Sequence, residues 1–122
     1  MLVCGRDTTI RCLDSLVPIL EGLDSELILV DTGCPAELRA QLTKYTDQII
    51  PFTWCDDFAA ARNVGMKAAH GEWFLYIDDD EWFENPEALI QFFKSGQYRK
   101  YGCVNYIQRN YYDEDFIHYD DF

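Results

Sequence analysis

The sequence has few basic residues for its length. Its 122 residues include 10 Lys and Arg against 22 Asp and Glu, which gives a formal net charge of −12. Sequence-independent binding to nucleic acid and to anionic membranes depends on clustered lysine and arginine. The composition therefore argues against both partners. The content of 48% hydrophobic and 16% aromatic residues argues against a disordered chain, because it is sufficient for a folded core.

The sequence also lacks the patterns that mark a zinc site, a secretion signal or a membrane span. Its five cysteines are scattered, and no two of them have the C-x₂-C spacing of a zinc site. The longest apolar runs are far shorter than the ~20 residues that a membrane-spanning helix needs. We therefore expect a cytoplasmic protein with reduced thiols and no transmembrane segment, and its oligomeric state is open.

Short apolar runs alternate with segments of helical period along the whole chain. A length of 122 residues corresponds to about one domain. Strands are predicted at residues 2–4, 27–30, 48–52, 73–78 and 102–107, with a helix between each pair. This alternation is typical of an α/β fold, in which helices cover both faces of a mostly parallel sheet. The tail from residue 108 is rich in Tyr and Asp, and a hairpin is one possibility there.

The central feature is an apolar run, residues 73–77, that leads directly into Asp78, Asp79, Asp80 and Glu81. The run predicts a buried strand, and the carboxylates must leave the interior because a buried, unpaired charge is very costly. One like-charge pair at about 4 Å costs roughly 4 kcal/mol at an effective dielectric of about 20. Mg²⁺, which prefers one or two carboxylates plus substrate phosphates, would relieve this repulsion.

A second carboxylate, Asp31, also follows a predicted strand. Ligands of open α/β sheets bind beyond the carboxyl ends of the strands, so Asp31 and Asp78 are candidates for one site. Structural alternatives remain open for each residue. The acidic run is also consistent with a solvated turn, Asp31 with a helix cap, and Arg62 with a surface ion pair to Asp56 or Asp57.

Three segments in order, residues 29–33, 54–63 and 76–81, resemble the nucleotide-sugar-binding half of family 2 glycosyltransferases. Residues 11–16 fit the same pattern. The resemblance covers about residues 1 to 95 and implies the GT-A fold, which is Rossmann-like. It implies one nucleotide-sugar-binding domain over residues 1–122, with a core at 1–95. Residues 96–122 would then form a fifth strand and a tail leading to an acceptor-binding part beyond the chain. The sequence Gly5-Arg6-Asp7 after the first strand departs from the family's pattern.

The resemblance also implies roles for individual residues. Asp31 would accept a hydrogen bond from the base or ribose, and Arg62 would point toward the nucleotide. Asp78 and Asp80 would be the outer members of a DXD motif, with Asp78 near the ribose and Asp80 holding Mg²⁺ or Mn²⁺ against the diphosphate. Asp79 would be the variable middle residue and Glu81 a supporting carboxylate.

The implied activity is metal-assisted transfer of a sugar from a nucleotide-diphosphate donor to an unknown acceptor, with inversion. No residue is assigned as the catalytic base, and we expect this chain by itself to bind donor without efficient transfer. A non-catalytic nucleotide-binding or interaction domain of the same fold is an alternative. A nucleotidyltransferase is another, but Gly5-Arg6-Asp7 is poor in the glycine and lysine that a phosphate loop would have.

Overall fold

Three parallel strands form the central sheet of the computed structural model, which describes residues 1–112 and 114–121. The strands β1 (Leu2–Val3), β2 (Leu29–Asp31) and β3 (Ile49–Pro51) lie in the order β1-β2-β3. Leu2 is opposite Val30 and Leu29 is opposite Ile49. The central strand β2 is buried at all three positions, as expected for a parallel strand covered on both faces. β3 is an edge strand that ends on Pro51, which confirms the prediction from its proline.

Four α-helices accompany the strands: α1 (Thr9–Gly22), α2 (Ala36–Leu42), α3 (Phe58–Ala68) and α4 (Pro86–Lys94). A 3₁₀ helix follows at Gln97–Lys100. Asp57 caps α3 by accepting a hydrogen bond from the Ala60 amide at 2.9 Å. Proline begins α4 as predicted, since its missing amide hydrogen costs little at a helix start. No helix among the described residues is both long enough and apolar enough to cross a membrane.

Helices cover both faces of the sheet, as the sequence predicts for an α/β fold. Leu29 shares a buried cluster with Leu13 of α1 and Leu42 of α2. A Cβ built on Gly65 of α3 would lie 3.2 Å from Val30. Because consecutive residues of a strand point to opposite faces, α3 lies on the face opposite α1 and α2. A second buried cluster joins α1 to α4 through Leu16, Ile19 and Ile90, and it includes Ile77.

The predicted strand at 73–78 is wrong as a sheet member. Residues 74–78 have no regular secondary structure, and no ladder pairs them with β1 in the part of the chain that the structure describes. Side chains occupy two of their backbone acceptors instead. The Tyr106 hydroxyl donates to the Tyr76 carbonyl at 2.6 Å, and the Cys12 thiol lies 3.5 Å from the Asp78 carbonyl. Ile77 alone of these residues is buried among apolar neighbours, so the segment lies against the core at one position.

The predicted fifth strand at 102–107 is also wrong, because those residues are exposed and unpaired in any ladder. The tail forms an antiparallel hairpin of β4 (Arg109–Tyr111) and β5 (Tyr119–Asp121), which confirms the hairpin considered for it. Arg109 and Asp121 are opposite each other and form an ion pair at 2.7 Å. The Arg11 guanidinium links the hairpin to α1 by lying 3.7 Å from the Trp82 ring and 4.5 Å from the Phe116 ring. Asp113 and Phe122, which the sequence analysis assigned to this tail, lie outside the described residues.

The turn between β2 and α2 is organised by the side chain of Asp31. One carboxylate oxygen accepts hydrogen bonds from the amides of Gly33, at 3.0 Å, and Cys34, at 2.7 Å. The other accepts from the Arg39 guanidinium of α2. Burial acts to raise the pKa of Asp31, but the hydrogen bonds from Cys34, Arg39 and Gly33 outweigh it and hold the pKa below its usual value of 3.8. Asp31 therefore stabilises the fold in its charged form.

Replacing Asp31 with Asn should lower the free energy of unfolding by about 1–3 kcal/mol at neutral pH. The amide keeps one acceptor for the Gly33 and Cys34 N–H groups, but it turns an NH₂ donor toward Arg39. Because the folded-state pKa is depressed, the carboxylate's contribution is complete above pH 3.8 and is lost as the pH falls below it. The difference between the wild type and Asp31→Asn in urea unfolding should therefore shrink at acid pH. The matched control is Asp47→Asn at an exposed position; equal destabilisation by both variants would contradict the role of Asp31.

Candidate active site

The acidic run, which we define as Asp78, Asp79, Asp80 and Glu81, is attached to the fold by its second residue. The Asp79 side chain accepts hydrogen bonds from the Cys4 amide at 3.3 Å and from the Thr9 hydroxyl at 3.0 Å. The Thr8 hydroxyl donates to the Asp79 carbonyl at 2.9 Å. Asp79 is only 6% exposed. It therefore fixes the acidic run to the end of β1 and the beginning of α1.

Asp78 and Asp80 lie on either side of this anchor and face outward. Their side chains are 46% and 44% exposed. Each carboxylate has a guanidinium partner, since Arg62 lies 3.2 Å from Asp78 and Arg6 lies 2.8 Å from Asp80. Arg6 also lies 3.3 Å from Asp79. The two outer carboxylates are thus presented at the surface, while the middle one is buried.

Glu81 closes a tight turn with Asp78. The Glu81 carboxylate accepts a hydrogen bond from the Asp78 amide at 3.0 Å, and the Glu81 amide donates to the Asp78 carbonyl at 3.1 Å. These two bonds form a turn at residues 79–80, immediately after the segment 74–78. The turn fixes the backbone of Asp78 and thereby the direction of its side chain. Glu81 therefore contributes to the site by fixing the backbone of Asp78.

Arg62 is positioned by the first turns of α3, beside the segment 74–78. Its guanidinium carbon lies 4.3 Å from the Tyr76 ring and 5.6 Å from the Phe58 ring, which are cation–π distances. The surface pair with Asp56 or Asp57 that the sequence left open is not formed. Asp57 caps α3 and Asp56 accepts from the Trp54 indole at 3.0 Å.

One polar atom of Arg62 is buried without a partner, namely its Nε. It borders a cavity of about 20 Å³ between β1 and residues 74–78. A cavity of this size accommodates about one water molecule. The buried Nε is out of reach of a larger ligand, but the partly exposed end of the guanidinium makes Arg62 an available donor beside Asp78. A polar ligand that reached this edge would meet the guanidinium end that pairs with Asp78.

Asp31 lies at the same edge of the sheet, on the other side of the loop after β1. That loop contacts both carboxylate regions. The Cys4 amide donates to Asp79, while a Cβ on Gly5 would lie 2.6 Å from Cδ of Pro35, in the turn that Asp31 organises. The structure therefore brings Asp31 and the acidic run to one end of the molecule. It does not bring them into direct contact, and Asp31 is only 3% exposed, with both oxygens engaged by its own turn and Arg39.

The residue types at this edge fit a hard divalent cation. Among the described residues, no group of three or more His, Cys, Asp or Glu side chains is arranged to hold a metal ion. Mg²⁺, however, is often held by only one or two carboxylates together with substrate phosphates and water. Asp78 and Asp80 supply carboxylate oxygens of this kind. A cation here would be completed by oxygens of a phosphorylated ligand.

Three parts of this site are not predicted from the sequence: Arg6, the anchoring role of Asp79, and the Thr8–Thr9 pair. The signal for Arg6 was its position in the loop after β1, at the edge where the carboxylates converge. The anchoring role of Asp79 follows from its burial between two exposed neighbours. No pattern of residue types in the sequence distinguishes it from Asp78 or Asp80, because the three are chemically identical.

The two kinds of carboxylate should respond differently to mutation. Asp79→Ala leaves the Cys4 amide, the Thr9 hydroxyl and Arg6 without their acceptor, so we expect it to lower the free energy of unfolding by about 2–3 kcal/mol. Asp80→Ala removes a surface ion pair and should cost no more than about 1 kcal/mol. Urea unfolding of both variants at neutral pH measures the difference. If the two variants were equally stable, the buried carboxylate would not be the anchor of the acidic run.

Comparison with known proteins identifies one similar curated sequence and no similar solved structure. The chain is 39% identical over 91 residues to a TPR repeat-containing protein of Synechococcus elongatus. The similarity covers 65% of this chain and 22% of that protein, so the chain spans about a fifth of the length of this curated relative. No solved structure matches the chain significantly.

The sequence pattern of glycosyl transferase family 2 matches residues 4–119, which is nearly the whole chain. The matched region includes the loop after β1, the turn of Asp31, α3 with Arg62, and the acidic run. The α/β fold with its three-stranded parallel sheet and four helices is consistent with a GT-A-like domain. The chain belongs to glycosyl transferase family 2.

Proposed function

We propose that this chain is the donor-binding part of a metal-assisted, inverting glycosyltransferase that takes its sugar from a nucleotide diphosphate. The observation that carries the proposal is the alternation in the acidic run. Asp79 is buried and bonded to β1 and α1, while Asp78 and Asp80 are presented to solvent beside two arginines. A solvated acidic turn would not require a buried anchor that fixes its two neighbours at the carboxyl edge of a parallel sheet.

The chemistry of the donor explains why the site has both signs of charge. A sugar diphosphate is anionic, and departure of the diphosphate concentrates negative charge on its oxygens. Asp80, with Asp78, would hold Mg²⁺ or Mn²⁺, which when bound acts as a Lewis acid toward the leaving diphosphate. Arg62 adds a guanidinium whose donors suit phosphate or ribose oxygens. The anchor at Asp79 keeps these groups in place before the ligand arrives, which reduces the cost of reorganisation.

Asp31 is proposed both to hold the turn after β2 in place and to contact the base or ribose of the nucleotide. Its carboxylate already holds the Gly33 and Cys34 amides and Arg39. A base or ribose that contacted Asp31 would do so at the edge of this turn, with Arg39 exchanging part of its interaction. The hydrogen-bonded turn would therefore form one side of the proposed nucleotide site, next to the loop after β1. This chain contains no residue that we assign as the base that deprotonates an acceptor hydroxyl.

A second candidate function is nucleotide binding without transfer. One observation favours it: Asp31, Asp78 and Asp80 are each paired with an arginine, so the three carboxylates are neutralised without a metal. A domain that only bound nucleotide would need no cation to balance them. Metal dependence of binding separates this candidate from the glycosyltransferase.

Calorimetry with UDP, GDP, CDP and TDP, each with and without Mn²⁺, tests the proposal. We expect binding of at least one nucleotide that depends on the metal. Asp80→Ala should weaken that binding by at least about 100-fold, because it removes a metal ligand rather than a supporting contact. The matched control is Asp24→Ala, which removes an exposed carboxylate from the loop before β2.

Each outcome of this titration has a definite meaning. Binding that is unchanged by Mn²⁺ and by Asp80→Ala would favour nucleotide binding without transfer. Equal losses in Asp80→Ala and Asp24→Ala would show that overall charge, not the acidic run, governs affinity. Absence of binding for all four nucleotides would contradict both candidates.

A further inference from the structure

Arg6 occupies a distinctive place, between the buried and the exposed carboxylates of the acidic run. Its guanidinium lies 3.3 Å from Asp79 and 2.8 Å from Asp80. It comes from the loop after β1, whose Cys4 amide also donates to Asp79. The Arg6 side chain is 55% exposed. It therefore reaches the site from the surface, with one end of its guanidinium against the anchor and the other against the proposed metal ligand.

The two carboxylates depend on Arg6 to different degrees. Asp79 also accepts from the Cys4 amide and the Thr9 hydroxyl, and these bonds keep it in place without the guanidinium. Asp80 is half-exposed, and its ion pair with Arg6 connects it to the loop after β1. The charge of Asp80 is also the main cause that raises the pKa of Arg6. Arg6 is thus primarily the counter-ion of Asp80.

We propose that Arg6 competes with divalent cations for Asp80 in the absence of donor, and contacts the donor diphosphate once Asp80 has bound the cation. The first half of this inference rests only on the proposed binding of metal by Asp80, and the second half also rests on the proposed diphosphate donor. Two cations that share one carboxylate repel each other at close range. A released guanidinium has planar donors that match phosphate oxygens in pairs. Arg6 would then be a ligand of the diphosphate as well as a counter-ion.

This exchange makes metal and donor binding depend on each other. Without donor, the metal must displace Arg6 from Asp80 with nothing to receive the guanidinium. With donor present, the diphosphate receives it, so the same displacement becomes favourable. Because coupling between two ligands is reciprocal, the metal should strengthen donor binding by the same factor. An arginine that only held the loop after β1 in place would not produce this coupling.

The test is a metal titration of the whole chain without nucleotide, followed by a nucleotide titration at saturating metal. The variants are Arg6→Gln, Arg6→Lys and the control Arg99→Gln. The control removes the same charge from the 3₁₀ helix, where Arg99 lies over the Tyr98 ring. Mn²⁺ binding is followed by electron paramagnetic resonance, and nucleoside diphosphate binding by calorimetry. Thermal unfolding of each variant establishes that it is folded.

We expect Arg6→Gln to shift the two affinities in opposite directions. Nucleotide-free Mn²⁺ binding should become about tenfold tighter, because a competing positive charge is removed. Binding of the nucleoside diphosphate at saturating Mn²⁺ should become about tenfold or more weaker, because a charged phosphate donor is lost. Arg6→Lys should leave Mn²⁺ affinity near the wild-type value, since it retains the charge. It should still weaken binding of the nucleoside diphosphate at saturating Mn²⁺. Arg99→Gln should change neither affinity.

Other results would overturn the inference. Nucleotide-free Mn²⁺ binding that is unchanged or weaker in Arg6→Gln would show that Arg6 does not compete for Asp80. If neither the wild type nor Arg6→Gln binds Mn²⁺ without nucleotide, there is no cation for Arg6 to compete with, and the first half fails. Unchanged affinity of Arg6→Gln for the nucleoside diphosphate would contradict the second half, in which Arg6 contacts the diphosphate. If the wild type binds no nucleoside diphosphate with metal, the proposed function and the second half fail together. The nucleotide-free titration then still decides the first half by itself.

Discussion

The hydrogen bonds of one buried carboxylate, Asp79, determine where the candidate site lies. Asp79 joins the end of β1 to the beginning of α1 by accepting from the Cys4 amide and the Thr9 hydroxyl. A buried acceptor that lost these donors would be costly, so the acidic run has one stable position on the sheet edge. Asp78 and Asp80 can remain exposed without becoming disordered because the residue between them is fixed. The burial of one carboxylate thus permits the exposure of the other two.

Around this anchor, each carboxylate that faces the candidate site has an arginine from a different element. Arg39 comes from α2, Arg62 from α3 and Arg6 from the loop after β1. The pairs of Arg6 with Asp80 and of Arg62 with Asp78 lie at the surface and contribute little to stability individually, whereas Asp31 is buried. Their effect here is on ligand choice, because they place positive charge beside the carboxylates of an otherwise acidic protein with a net charge of −12. They lower the net negative charge at this edge, which favours an anionic ligand there.

Much of this arrangement was predictable from the sequence, because it depends on local patterns. The α/β fold follows from apolar runs that alternate with helical segments, and the positions of Asp31 and Asp78 follow from the ends of those runs. The segment 73–78 was predicted as a paired strand because its run of apolar residues is typical of a buried strand. Tertiary contacts override that pattern. Tyr106 and Cys12 take two of its carbonyls, and only Ile77 enters the core. The pairing of Arg6 with Asp80 is equally non-local, since it joins residues 74 positions apart in the sequence.

The contact between Gly5 and Pro35 has a consequence for how this site can evolve or be redesigned. Gly5 has φ +98°, and a Cβ there would come within 2.6 Å of Pro35 Cδ. Any other amino acid would force the two chain segments apart and would also strain the backbone, which favours glycine in this conformation. The absence of a single methyl group thereby sets the gap between the Asp31 turn and the acidic run. A substitution at position 5 would move the loop after β1 away from the Asp31 turn and leave every charged group of the site chemically unchanged. It would therefore separate the effect of spacing on ligand binding from the effect of charge.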